Sequence, residues 1–117
     1  MNSTKDQLGL TAFHQVCIKG HFKIAEMLVQ NSAKINMDLN AKDIYGQTAF
    51  HKACICGHFE IAELLVQKSA EFDVDLNAKD TYGQTAFQMS CGLGHSKITQ
   101  MLEQKSAEFN IDLNVKD

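Results

Sequence analysis

Apolar residues recur in the same rhythm three times along this chain. In its middle, Ala49, Phe50, Ala53 and Cys54 stand at helical spacing, and Ile61, Ala62, Leu64 and Leu65 form a second stripe shortly after. Glu60, Glu63 and Lys68 flank that second stripe on its polar side. Thr48 offers a hydroxyl suited to capping a helix that begins at Ala49, and Gly57 supplies the left-handed conformation that ends it. The pattern predicts two helices back to back. A single hairpin of this size cannot bury both stripes, so it must stack on copies of itself.

The copies are present. Asp6, Asp43, Asp80 and Asp117 stand 37 residues apart and open successive units. The first unit reads D-Q-L-G-L-T-A-F-H-Q-V-C-I-K-G-H-F-K-I-A-E-M-L-V-Q and the second D-I-Y-G-Q-T-A-F-H-K-A-C-I-C-G-H-F-E-I-A-E-L-L-V-Q. The third reads D-T-Y-G-Q-T-A-F-Q-M-S-C-G-L-G-H-S-K-I-T-Q-M-L-E-Q. The first two share about 24 of 37 positions, which marks a stacked array. The units are set at 6–42, 43–79 and 80–117, after a short tail at 1–5.

The stretch G-Q-T-A-F-H-K-A-C-I-C-G-H-F-E-I-A-E-L-L-V resembles the ankyrin core G-x-T-P-L-H-x-A-x-x-x-G-H-x-x-x-x-x-L-L, and the likeness extends over residues 6–116. It implies an all-α solenoid of helix–turn–helix units joined by finger loops, and a module that binds another protein. Two departures stand out. Ala12, Ala49 and Ala86 replace the family's proline, a residue suited to a first helical turn. Each unit also exceeds the usual length of about 33 residues by roughly one helical turn. The extra residues fall near Glu71-Phe72-Asp73-Val74. Phe72 continues the stripe of Ile61, Leu64 and Leu65, and its equivalents Ile35 and Phe109 are apolar too, so the second helix is expected to run longer in every unit.

Composition narrows the function. Hydrophobic residues make up 44% of 117, enough for a packed core and too many for a disordered tail. The formal charge of −3 and the lack of any Lys/Arg run count against nucleic acid as a partner. Only the first unit leans positive, through Lys19, Lys23 and Lys34. No basic segment followed by an apolar core opens the chain and no apolar run is long enough for a bilayer, so a reducing cytoplasmic or nuclear setting without membrane contact is expected.

Catalytic chemistry finds little footing. His14 and His51 hold one position of the repeat, and His21, His58 and His95 another, so stacking spreads them along a ladder instead of gathering them into one site. The resemblance implies that they hydrogen-bond backbone between units. Cys54 and Cys56 form C-x-C, but helix residues two apart diverge and do not chelate readily. Cys17, Cys54 and Cys91 recur in register and are expected to fill a small buried slot, with Cys56 out of pattern and more exposed. No phosphate loop, nucleophile elbow or carboxylate pair is present. No enzyme, cofactor or metal is expected.

The repeated D-L-N at Asp38-Leu39-Asn40, Asp75-Leu76-Asn77 and Asp112-Leu113-Asn114 shapes the turn before each finger. In the family that the chain resembles, the asparagine matching Asn40, Asn77 and Asn114 can be a target of asparaginyl hydroxylation.

The resemblance further places a partner against the fingertips and the open side of the first helices. The matching residues are Gln7, Leu8, Leu10, Ile18 and Lys19, then Ile44, Tyr45, Gln47, Ile55 and Cys56, then Thr81, Tyr82, Gln84, Gly92 and Leu93. Leu8, Tyr45 and Tyr82 would line up along the stack, and tyrosine is a favoured interface anchor. The competing expectation is that the tyrosines pack on neighbouring fingers. A second functional expectation is a consensus-like, engineered or fragmentary scaffold with no dedicated ligand, which the likeness between units even at Tyr45/Tyr82 and Gln47/Gln84 would fit.

The two ends differ. The first unit keeps Phe13, Phe22, Ile24, Met27 and Leu28 and has no clear polar cap, so either residues before Met1 or self-association of two chains through their first units is expected to cover it. The third unit has Gln88, Ser96, Thr99 and Glu103 where the first two have His, Phe, Ala and Val, as suits a terminus.

Overall fold

The computed structural model describes residues 5–114; residues 1–4 of the tail, and the Asp117 that opens a fourth register, lie outside them. Six helices follow in order: α1 (Ala12–Lys19), α2 (Phe22–Gln30), α3 (Ala49–Ile55), α4 (Phe59–Phe72), α5 (Ala86–Leu93) and α6 (Ser96–Phe109). No strand occurs among the described residues. The helices pair as three hairpins. The first helices form one row, α1 on α3 on α5, and the second helices another, α2 on α4 on α6.

Each first helix starts in the same way. Thr11, Thr48 and Thr85 sit in extended backbone, and their hydroxyls accept the N–H of His14, His51 and Gln88. In return the His14 and His51 rings accept the Thr11 and Thr48 N–H at 3.0 and 3.1 Å, and the Gln88 amide oxygen accepts that of Thr85 at 2.8 Å. These reciprocal capping boxes satisfy two of the donors that a helix start leaves open. Glycine ends the helix: Gly20 and Gly94 are left-handed caps, and Gly57 takes the same conformation just after the Cys56 cap.

The longer second helix is found in two units of three. α4 and α6 run through Phe72 and Phe109, whose rings pack half-buried against the core. The helices end on Asp73 and Asn110 in the left-handed region, which short polar side chains tolerate. In the first unit α2 stops at Gln30, and Ile35 lies in a series of turns. Asn31 stands at the break. Its side-chain amide donates to the Met27 carbonyl at 2.8 Å, sharing that acceptor with its own backbone N–H at 3.1 Å; asparagine favours such local bonds over a helix interior, where the other units carry Lys68 and Lys105. The exit is restored at Asn36, left-handed like Asp73, with Met37 N–H on the Ser32 carbonyl as Val74 N–H is on that of Ser69.

The core runs the length of the stack. Phe13, Phe50 and Phe87 are buried in their hairpins, and Ala25, Val29, Ile61, Ala62, Leu65, Val66, Ile98 and Leu102 fill the layer between the helix rows. Cys17 and Cys54 are fully buried, as expected, but Cys91 is exposed. The slot is real, and the following hairpin is what closes it; in the described residues the third hairpin has no hairpin after it. Of the first-unit residues expected to lie open, Phe13 is buried and Phe22 and Leu28 are half-buried, which leaves Ile24 and Met27 exposed. Phe13 sits on α1, which packs on both α2 and α3.

Candidate protein-binding surface

Each finger is built around one aspartate. The Asp43 carboxylate accepts the N–H of Tyr45 and of Gln47, both at 2.9 Å, and Asp80 does the same for Tyr82 and Gln84. Asp6 serves Leu8 and Leu10. The turn then crosses a left-handed glycine, Gly9, Gly46 or Gly83. Adjacent fingers are tied through backbone, Ile44 N–H to the Leu8 carbonyl at 3.0 Å and Thr81 N–H to that of Tyr45 at 2.9 Å. Lysine ammonium groups add to this: Lys5 donates to the Lys42 carbonyl and Lys42 to that of Lys79. The fingers therefore hold their spacing without help from the side chains at their tips.

Those tip side chains are free. Leu8, Ile44, Tyr45 and Tyr82 are exposed large apolar groups, Tyr45 at 49% and Tyr82 at 79%. About half of Tyr45 and most of Tyr82 thus stand open to solvent. Thr81 and Gln84 are exposed beside them. Leu10 is half-buried at the finger base. Gln47 is engaged: its amide oxygen accepts from Lys52 at 2.7 Å and its nitrogen lies 3.4 Å from Asp80.

The remaining expected positions lie at the far ends of the first helices, about 12 Å from the fingers for helices of this length. Lys19, Cys56 and Leu93 are exposed there, and Ile18 and Ile55 half-buried. Gly92 is exposed as well. Between the two ends lie Gln15 and Lys52, which the sequence reading did not single out. Gln15 donates to Asp6 at 3.1 Å, and Lys52 forms a 2.7 Å ion pair with Asp43. Their helical spacing of three and four from Ile18, Lys19, Ile55 and Cys56 was the signal that could have found them.

Electrostatics hold this face in place. Burial alone would raise the Asp43 carboxyl, but the Lys52 ammonium together with the Gln47 and Tyr45 N–H groups outweighs it and holds the carboxyl below the ordinary range. The His14 and His51 rings are held below 6.5 chiefly by burial. Each is fixed at both nitrogens, accepting from its threonine and donating through Nε2 to the next unit's Gln47 or Gln84 carbonyl at 2.9 Å. His58 and His95 reach the other way, to the Ile18 and Ile55 carbonyls of the preceding unit at 2.8 Å. Four histidines are thus staples between units. Cys17 and Cys54 are pushed far above the ordinary thiol range by burial, which makes them poor nucleophiles. Among the described residues no group of three His, Cys, Asp or Glu could hold a metal ion, and no helix is long and apolar enough to cross a membrane.

At the opposite edge the asparagines act as clamps. The Asn40 amide donates to the Asp73 carbonyl and accepts the Asp75 N–H, both at 2.8 Å, and Asn77 repeats this with Asn110 and Asp112.

Capped helical hairpins stacked in register, with histidine staples and projecting fingers, define a helical repeat array. A family model described as ankyrin repeats (3 copies) matches residues 1–77 and 35–117, and the chain belongs to the ankyrin-repeat family. That family generally serves as a protein-interaction module. No curated protein matches the chain closely enough to count as a relative.

Proposed function

We propose that the chain binds a partner protein along the face formed by its fingertips and first helices. The observation that carries this reading is the row of exposed Leu8, Ile44, Tyr45 and Tyr82 on fingers that are tied to one another by backbone bonds and lysine side chains. Apolar groups that the fold does not use for its own packing are free to anchor a ligand, and tyrosine loses little rotamer entropy in doing so. Gln84, Thr81, Lys19, Cys56 and Leu93 form the polar and apolar surround. The negative formal charge favours a protein over a nucleic acid as the occupant.

A double variant, Tyr45→Ala with Tyr82→Ala, tests it. The wild-type chain on a support is expected to retain a reproducible set of proteins from cell extract, and the double variant to lose them at nearly unchanged melting temperature. Equal retention by the two chains would refute the surface. A large drop in melting temperature would assign the tyrosines to the fold instead.

A further inference from the structure

The two internal interfaces show what a covered stacking face looks like. Ala49 on α3 is buried, and Ile61 and Leu64 on α4 are 1% and 6% exposed; Ala86, Ile98 and Met101 repeat this in the third hairpin. The same positions in the first hairpin are Ala12, Ile24 and Met27. All three are exposed, Ile24 at 42% and Met27 at 54%. These positions therefore face the preceding unit. A second set behaves in the opposite way. Cys17 and Val29 are fully buried in the first hairpin, as are Cys54 and Val66 in the second, while Cys91 and Glu103 in the third are exposed. These face the following unit. One end of the stack thus presents alanine, isoleucine and methionine, and the other a carboxylate.

The polar half of the interface is equally specific. His58 and His95 each donate to a carbonyl two residues before the left-handed glycine of the preceding unit. Each ring also lies over that glycine: a Cβ at Gly20 would come 2.6 Å from the His58 ring, and one at Gly57 3.1 Å from that of His95. His21 holds the same place at the start of α2, with nearly the same backbone angles as His58, and is exposed on the upstream face.

We infer that the upstream face is a stacking surface for a further ankyrin-type hairpin, and that the array extends productively in that direction only. The occupant must cover Ala12, Ile24 and Met27 and bring a helix-end carbonyl and a left-handed glycine to His21, as the first and second hairpins do for His58 and His95. A second copy of this chain joined face to face would cover the apolar groups, but it would offer His21 another upstream face, and the carbonyl that these histidines use lies on the downstream side. A second copy joined head to tail would place Glu103 where Val29 and Val66 are buried, and a carboxylate is costly to desolvate there.

The test adds one unit at either end of the full chain. Residues 43–79 are duplicated ahead of Asp6, or, in a second chain, appended after residue 116, and unfolding by heat and urea is followed by circular dichroism. The upstream unit is expected to raise both midpoints within a single transition, and the downstream unit to raise them less. Glu103→Val should bring the downstream gain up to the upstream one. Ile24→Glu with Met27→Glu should erase the upstream gain while barely moving the midpoint of the unextended chain. An added upstream unit that melts separately or adds nothing would overturn the inference, as would equal gains at both ends with Glu103 in place. So would an unextended chain that sediments as a dimer and that Ile24→Glu returns to monomer. The upstream face lies apart from the fingertips, so none of these outcomes depends on the tyrosine stripe.

Discussion

Phe50→Ala probes the centre of the stack. Phe50 is 2% exposed on α3, which packs on α1, α4 and α5, so the site is enclosed on every side. Removing a buried ring loses its transfer free energy and leaves a cavity that a tightly hemmed site closes poorly, at a cost of about 3–5 kcal/mol. A domain of this size is stable by roughly 5–15 kcal/mol, so the change consumes a large share. At about 4 °C per kcal/mol the melting temperature should fall by roughly 10–20 °C. Urea unfolding followed at 222 nm should show a lower midpoint with unchanged slope, the signature of lost stability without a change in the surface exposed. Tyr82→Ala is the control, because an exposed side chain outside any special contact is worth no more than about 0.5 kcal/mol. A loss well under 1 kcal/mol for Phe50→Ala, or equal losses for the two variants, would refute this account of the core.

Acid should weaken the fold through His14 and His51. Burial holds both rings below 6.5, so beneath that pH the unfolded chain binds protons that the native chain does not. Their contribution is complete above pH 6.5 and declines below it until the native rings protonate. Because Gln88 already fills this position in the third unit, His14→Gln with His51→Gln should flatten the slope of melting temperature against pH between 6.5 and 5 while keeping the fold. Glycine replacements should separate a turn that is packed from one that is open. Gly46→Ala sets a Cβ 2.8 Å from the Thr81 nitrogen, and Gly83→Ala meets nothing within 4 Å, though both turns are left-handed. Both should lose about 1 kcal/mol to conformation, and Gly46→Ala measurably more in urea unfolding. Finally, a thiol reagent should modify Cys56 and Cys91 at once in the native chain and reach Cys17 and Cys54 only as it unfolds, which absorbance kinetics with and without urea would show.

The sequence by itself determined whatever depends on one unit. Thr48, the Phe50 stripe and Gly57 specify a helix, its face and its end through interactions a few residues apart, and the period of 37 requires that such units stack. The finger residues could be located by register, although the sequence did not show that backbone bonds and the Asp43–Lys52 pair would free Tyr45 and occupy Gln47. Tertiary structure decided what depends on having a neighbour. Cys91 repeats Cys17 and Cys54 yet lies open, and Ile24 repeats Ile61 yet faces solvent, because burial in a stack belongs to the interface and not to the residue. The short α2 ends at Asn31, whose side-chain amide shares the Met27 carbonyl with its own backbone N–H, a local contact that periodicity does not register. Local patterning is written once per unit, whereas the covering of each face requires the unit beside it.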